Sequence, residues 1–141
     1  FCFDFFSTDV ADTRVVLFIS SIICADIFFE DVLNESISKK VVNMMQSVVE
    51  NGTAKKARLE KYTVAGKTGT VRMIKEGEYK KNSHLAIFVG ITPATNPEYV
   101  TAVIVRNPKA GAASGGKNAA PIFRDFMNHS LNLLKVYPDR R

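Results

Sequence analysis

Two apolar stretches stand back to back near the middle of the chain, "HLAIFVGITP" at 84–93 and "EYVTAVIVRNP" at 98–108. Only a short turn with two prolines, "TPATNP" at 92–97, separates them. So short a connection joins antiparallel strands, and prolines suit the turn between them. Neither stretch alternates apolar with polar residues, so both are expected to be buried on both faces. An interior strand must also be paired on each side, or its N–H and C=O groups stay open along one edge. Any fold for this chain therefore has to supply cover above, cover below and neighbours at both sides.

The flanking sequence meets most of these demands. "YTVAGKTGTVRM" at 62–73 is rich in Val, Thr and Tyr and reads as a strand. A polar hairpin loop, "KEGEYKKNS" at 75–83 with Gly77 in it, joins it to the first apolar stretch. The result is a three-stranded antiparallel meander. "SISKKVVNMMQSVVENGT" at 36–53 reads as an amphipathic helix. Val41, Met44, Met45 and Val48 follow the helical repeat. Ser36 or Ser38 can cap its start and Gly52 can supply a left-handed stop. After the glycine-rich "KAGAASGGK" at 109–117, "NAAPIFRDFMNHSLNLL" at 118–134 reads as a second helix. Asn118 is placed to cap it and Pro121 falls in its first turn. Its expected apolar face is Ala119, Ile122, Phe123, Phe126 and Leu133 or Leu134. The class is α+β. Within 34–141 the strand at 98–106 has one neighbour, and this open apolar edge predicts poor solubility. "RVVLFISSII" at 14–23 is the candidate to fill it.

With 141 residues the chain fits one domain. Residues 1–33 differ in texture, with no Gly, Pro or Lys. Residues 1–35 carry a net charge of −6 and residues 36–141 carry +11. The basic residues are scattered without aromatic interleaving, which argues against a nucleic-acid partner. The run at 15–24 is shorter than the ~20 residues of a spanning helix and lacks the basic start of a signal peptide. Cys2 and Cys24 have neither metal-ligand spacing nor a disulfide framework. His84 and His129 have no metal partners at ligand spacing. The chain starts at Phe1 and its first methionine is Met44. We expect a fragment, with 1–33 an atypical, foreign or frame-shifted segment and 34–141 part of one domain.

The chemistry centres on "VAGKTGTVRM" at 64–73. A phosphate-binding loop has G-x-x-x-x-G-K-[ST] ahead of a helix. Gly66-Lys67-Thr68 fits its end, but Lys61 stands where the first glycine belongs, and no helix follows. The other reading is Lys67-Thr68-Gly69 as a K-T-G triplet on a strand, one of three signatures of penicillin-binding proteins and serine β-lactamases.

From Asn34 onward the sequence resembles the last part of a class B penicillin-binding protein transpeptidase domain of the cell-division, septum-forming type. The words that carry the resemblance are "MMQSVVENGTA", "VAGKTGT", "AIFVGITPATNPEYVTAVIV" and "GGKNAAPIF", in that order. It implies the β-lactamase/transpeptidase-like fold with a five-stranded antiparallel sheet, of which three strands are recognised in 34–141. It implies a peptidoglycan D,D-transpeptidase that binds penicillin and crosslinks stem peptides by acyl transfer. Lys67, Thr68, Gly69 and Thr70 would bind the substrate. Lys67 would face the carboxylate of D-Ala-D-Ala, with the hydroxyls of Thr68 and Thr70 beside it. Gly69 would let the substrate backbone lie close. The Thr70 backbone N–H would be an oxyanion donor. No metal or organic cofactor is implied. Divisome membrane proteins would be partners, and the parent would sit in the bacterial inner membrane, facing the periplasm.

The family nucleophile, the serine of S-x-x-K, should lie far ahead of K-T-G. Ser36 of "SISK" is too close to Lys67, and Ser130 of "SLN" comes after it. The nucleophile is expected to be absent and the chain alone inactive. The alternatives are a serine β-lactamase fragment and a non-catalytic module that binds β-lactam or peptidoglycan.

Overall fold

The computed structural model describes residues 3–10, 13–21, 34–75, 78–109 and 113–140. Cys2, Cys24, Gly77 and residues 110–112 of the glycine-rich connection lie outside them. The strands are β1 (Phe3–Val10), β2 (Thr13–Ser21), β3 (Ala65–Lys75), β4 (Glu78–Thr92) and β5 (Tyr99–Arg106). Two long helices accompany them, α1 (Glu35–Glu50) and α2 (Ala120–Leu133). The five strands form one antiparallel sheet in the order β1-β2-β5-β4-β3.

The meander of three strands forms as expected, and the sheet is larger than the meander. β2 lies along β5, from Arg14 opposite Arg106 to Ser21 opposite Tyr99. Residues 14–21 of the expected segment thus supply the neighbour along the whole of β5, Ile22 and Ile23 lying outside the described residues, and β1 extends the sheet by a fifth strand. This pairing removes the open edge on which poor solubility was expected. The hairpin between β3 and β4 is also tighter than the composition suggests. Lys75 pairs with Glu78, and residues 78–83 belong to β4, so most of the polar stretch 75–83 is strand. Polar residues continue a strand past the core when pairing still satisfies their backbone groups. A register shift between Arg72 and Ile74 marks a bulge on β3.

The core lies on one face of the sheet. Ala86 and Phe88 of β4 and Val103 and Val105 of β5 are buried there against Phe123, Met127 and Leu131 of α2. The Phe88 and Phe123 rings meet edge to face, centroids 4.8 Å apart at 72°. The opposite face, with Ile87, Val89, Ile91, Ala102 and Ile104, is only half-buried. The two apolar strands are therefore fully covered on one face, where cover on both was expected.

Both helices keep their expected positions but not their expected details. α1 is capped by Asn34, whose Oδ1 accepts the Ser36 N–H at 2.8 Å; neither Ser36 nor Ser38 is the cap. Its buried residue is Val49, flanked by half-buried Val42, Met45 and Val48, while Met44 is 62% and Val41 39% exposed. The apolar face is rotated by about one residue from the expected one. Gly52 ends the helix without a left-handed φ; a Cβ there would lie 2.9 Å from the Val48 carbonyl. α2 is entered through one wide turn at Gly115–Ala119. Asn118 Oδ1 accepts the Ser114 N–H at 2.8 Å and so anchors that turn, one turn earlier than a cap of α2. Leu131 is buried, whereas Leu133 is 82% and Leu134 49% exposed, because the helix ends as those residues rotate outward.

Candidate functional site

β3 is an outer strand of the sheet, and Lys67-Thr68-Gly69-Thr70 lies on it opposite Val89, Phe88, Ile87 and Ala86. No helix starts at Lys67, which disposes of the phosphate loop.

Each glycine nearby has its own cause. The Phe88 ring occupies the space beneath Gly66, where a Cβ would come within 2.4 Å of Cζ. At Gly115 a Cβ would fall 2.1 Å from Ile87 O and 2.7 Å from Gly69 O. The turn that opens α2 therefore rests directly on the β3–β4 backbone, which only a residue without a side chain permits. At Gly116 a Cβ would lie 2.2 Å from the Thr53 carbonyl. The pair Gly115-Gly116 thus serves close packing. Gly69 differs. A Cβ there would meet only Ile87 Cβ, at an ordinary 3.5 Å.

The backbone orientation follows from the same contacts. Gly69 N and Ile87 O lie within 3.0 and 2.1 Å of that one point above Gly115, and the two residues face each other in the ladder. The Gly69 backbone therefore turns toward β4. In an antiparallel ladder the next residues turn the other way, so the N–H and C=O of Thr68 and Thr70 point to the free edge. The Thr68 carbonyl there accepts Lys67 Nζ at 2.9 Å.

Side chains alternate across the strand. Thr68 and Thr70 share the α2 side with Gly66, and Lys67 lies on the other side, exposed. Lys67 forms no ion pair with a carboxylate among the described residues. Thr68 Oγ1 is 3.0 Å from Thr53 Oγ1, and Thr70 Oγ1 accepts the Gly115 N–H at 3.3 Å. The result is a fixed cation, two hydroxyls and outward backbone donors along one open edge, a set suited to an anionic peptide-like ligand.

Other sequence candidates lie on the helices. Ser36 opens α1, and Lys39 is paired with Glu35 at 2.6 Å on its exposed face. Ser130 is on α2, where Asn132 Nδ2 donates to Asn128 O at 2.6 Å. His84 is on β4, and His129 Nδ1 is 2.8 Å from the Asp125 carbonyl. Among the described residues, no group of His, Cys, Asp and Glu is placed to hold a metal, and no helix is long and apolar enough to cross a membrane. Sequence reasoning missed Thr53, Gly115 and Gly116 as contacts of the site. The glycine pair was visible, but nothing local marks Thr53.

Residues 29–128 match the family model described as "Penicillin binding protein transpeptidase domain". Stage V sporulation protein D of Bacillus subtilis is 42% identical over 109 residues, which are 77% of this chain and 17% of that protein. A probable peptidoglycan D,D-transpeptidase, PenA of Neisseria flavescens, is 39% identical over 110 residues, covering 77% of this chain and 28% of PenA. Among solved structures, the transpeptidase domain of Burkholderia pseudomallei penicillin-binding protein 3 superposes with a TM-score of 0.71 at 33% identity, over 79% of this chain and 34% of that one. The chain spans well under a third of these curated relatives.

Proposed function

The chain belongs to the penicillin-binding protein transpeptidase domain family, and on that premise we propose that it forms the substrate-anchoring wall of a serine-type peptidoglycan D,D-transpeptidase. The observation that carries the proposal is the K-T-G-T run on the free edge of the sheet, with Lys67 exposed and unmatched by any described carboxylate.

In this reading Lys67 holds the terminal carboxylate of a D-Ala-D-Ala stem peptide, or the matching carboxylate of a β-lactam, assisted by the Thr68 and Thr70 hydroxyls. Gly69 supports the reading in its own way. Its packing leaves room for a Cβ, so the demand for glycine comes from outside, where a substrate backbone lies along the edge. The outward Thr70 N–H is one oxyanion donor. The nucleophilic serine comes from outside this chain. Its oxygen bonds to the penultimate D-Ala carbonyl carbon, the C–N bond breaks, and the terminal D-Ala leaves as its amine takes a proton. A stem-peptide amine then attacks the ester, and the serine is released. No cofactor enters the scheme. The parent protein works at the septum with divisome membrane proteins, on the periplasmic side of the inner membrane.

The test is binding of diacetyl-Lys-D-Ala-D-Ala to the 141-residue chain, followed by the amide signals of residues 67–70. We expect the free acid to bind more tightly than its C-terminal amide, and Lys67→Ala to abolish that preference. An equal response to acid and amide in the unaltered chain would refute the proposal.

A further inference from the structure

The two hydroxyls of the anchoring strand are each approached from behind by a second group. Behind Thr70 it is a backbone donor, the Gly115 N–H, at 3.3 Å from Oγ1. A hydroxyl has one hydrogen to give. Because Thr70 Oγ1 accepts from Gly115, its own hydrogen is free to point at the open edge. Behind Thr68 the group is the Thr53 hydroxyl, 3.0 Å from Oγ1, and either oxygen can be the donor.

The direction of that bond decides what Thr68 can do. If Thr68 donates to Thr53, its hydrogen is spent and its oxygen turns a lone pair outward, which repels an anion. If Thr53 donates to Thr68, the Thr68 hydrogen is released toward the edge. A carboxylate in front selects the second arrangement, and the two aligned hydroxyls polarise one another. Thr53 then does for Thr68 what the Gly115 N–H does for Thr70.

Thr53 is also held in place. Its turn follows α1, with the Gly52 N–H bonded to Val48 O at 3.0 Å and the Ala54 N–H to the same oxygen at 3.2 Å. Ala54 is fully buried. The missing side chain of Gly116 admits the Thr53 carbonyl, and a Cβ there would also meet Thr68 Cγ2 at 3.6 Å. Thr53, Gly116 and Thr68 thus meet at one point, brought together from three separate segments.

We infer that Thr53 is a positioning residue that sets the Thr68 hydroxyl as a donor to the substrate carboxylate, an inference that rests on the proposed anchoring role of β3. Thr53→Val keeps the shape and removes the hydroxyl, and Thr53→Ser restores it. The measurement is binding of diacetyl-Lys-D-Ala-D-Ala and of its C-terminal amide to the 141-residue chain and its variants, with Lys67→Ala in parallel. Thr53→Val should weaken the acid by about threefold to tenfold, a share of one charge-assisted hydrogen bond, and leave the amide unmoved. Thr53→Ser should stay close to the unaltered chain. If Lys67→Ala loses the acid preference while Thr53→Val keeps it, the role of Thr53 is overturned and the anchoring reading stands. Equal weakening of acid and amide in Thr53→Val would show a merely structural role and overturn it too. If the unaltered chain shows no acid preference, both fall together.

Discussion

Arg140 Nη2 lies 2.8 Å from each carboxylate oxygen of Glu50, tying residue 140 to the end of α1. Both side chains are about four-fifths buried, and Arg140 Nη1 also donates to Leu59 O at 3.1 Å. Tyr62 donates its hydroxyl to Val136 O at 3.0 Å. The strap 136–140 thus fastens the segment that leads into β3. Arg58 Nε also lies 3.3 Å from Glu50 Oε2 but is more than half exposed, so removing Arg140 leaves the largely buried carboxylate with the weaker of its two partners. Arg140→Ala should cost about 1–3 kcal/mol, read as a lower urea midpoint with an unchanged slope.

Asp139 belongs to the same strap and carries an acid-sensitive contact. Burial raises its pKa, but hydrogen bonds from the Thr63 and Thr95 hydroxyls and the Thr63 N–H outweigh it and hold the carboxyl below its ordinary 3.8. A carboxyl with a lower pKa folded than unfolded stabilises the fold above the unfolded value, and this is lost as pH falls through the folded one. Stability should therefore hold from pH 7 to 5 and drop below about pH 4. Asp139→Asn should be less stable than the unaltered chain at pH 7 and show a smaller acid loss. Parallel denaturation curves at pH 7, 5 and 3 for the two proteins would disprove the contact's role.

The rotated face of α1 gives a paired test. Val49 is fully buried and Met44 is 62% exposed. Val49→Ala should cost about 2 kcal/mol, and Met44→Gln should stay within about 0.5 kcal/mol. Thermal denaturation of both variants checks this. A reversed order would restore the face centred on Met44.

Gly115→Ala places a methyl carbon 2.1 Å from a β4 carbonyl oxygen. Backbone cannot give way as a flexible side chain does, so the turn must lift off the sheet. The expected loss is about 3 kcal/mol or more, together with faster exchange of the Gly115 amide, which the Thr70 hydroxyl holds. Full stability would show that the turn does not rest on the ladder.

These cases show what the sequence could and could not convey. The β4–β5 pair was legible because two mostly apolar stretches joined by a proline turn admit few other arrangements. The strand that carries Lys67-Thr68-Gly69 was legible because Val, Thr and Tyr are enriched around it. The phase of α1 was not, since Val41, Val42, Met44, Met45, Val48 and Val49 offer two overlapping apolar stripes, and only the contact with β3 and the segment 54–59 selects one. Leu133 and Leu134 looked like core because composition cannot say where a helix stops being covered. Thr53 was invisible for a deeper reason. Its role depends on Gly116 and Thr68 arriving from 63 and 15 residues away, and no local pattern encodes that meeting.

In the proposed function Lys67 anchors a carboxylate beside an acylated serine that residues 34–141 do not supply. A labelled penicillin should leave the 141-residue chain unlabelled. The most direct measurement grafts residues 34–141 in place of the corresponding part of the Bacillus subtilis relative and follows covalent labelling by the same penicillin. The graft should be labelled, and Lys67→Ala should slow labelling by at least about tenfold, the worth of one charge-assisted anchor, with folding unchanged. Labelling of Lys67→Ala at the full rate would remove Lys67 from the site, and an adduct on any serine of 34–141 would show that the nucleophile lies within these residues.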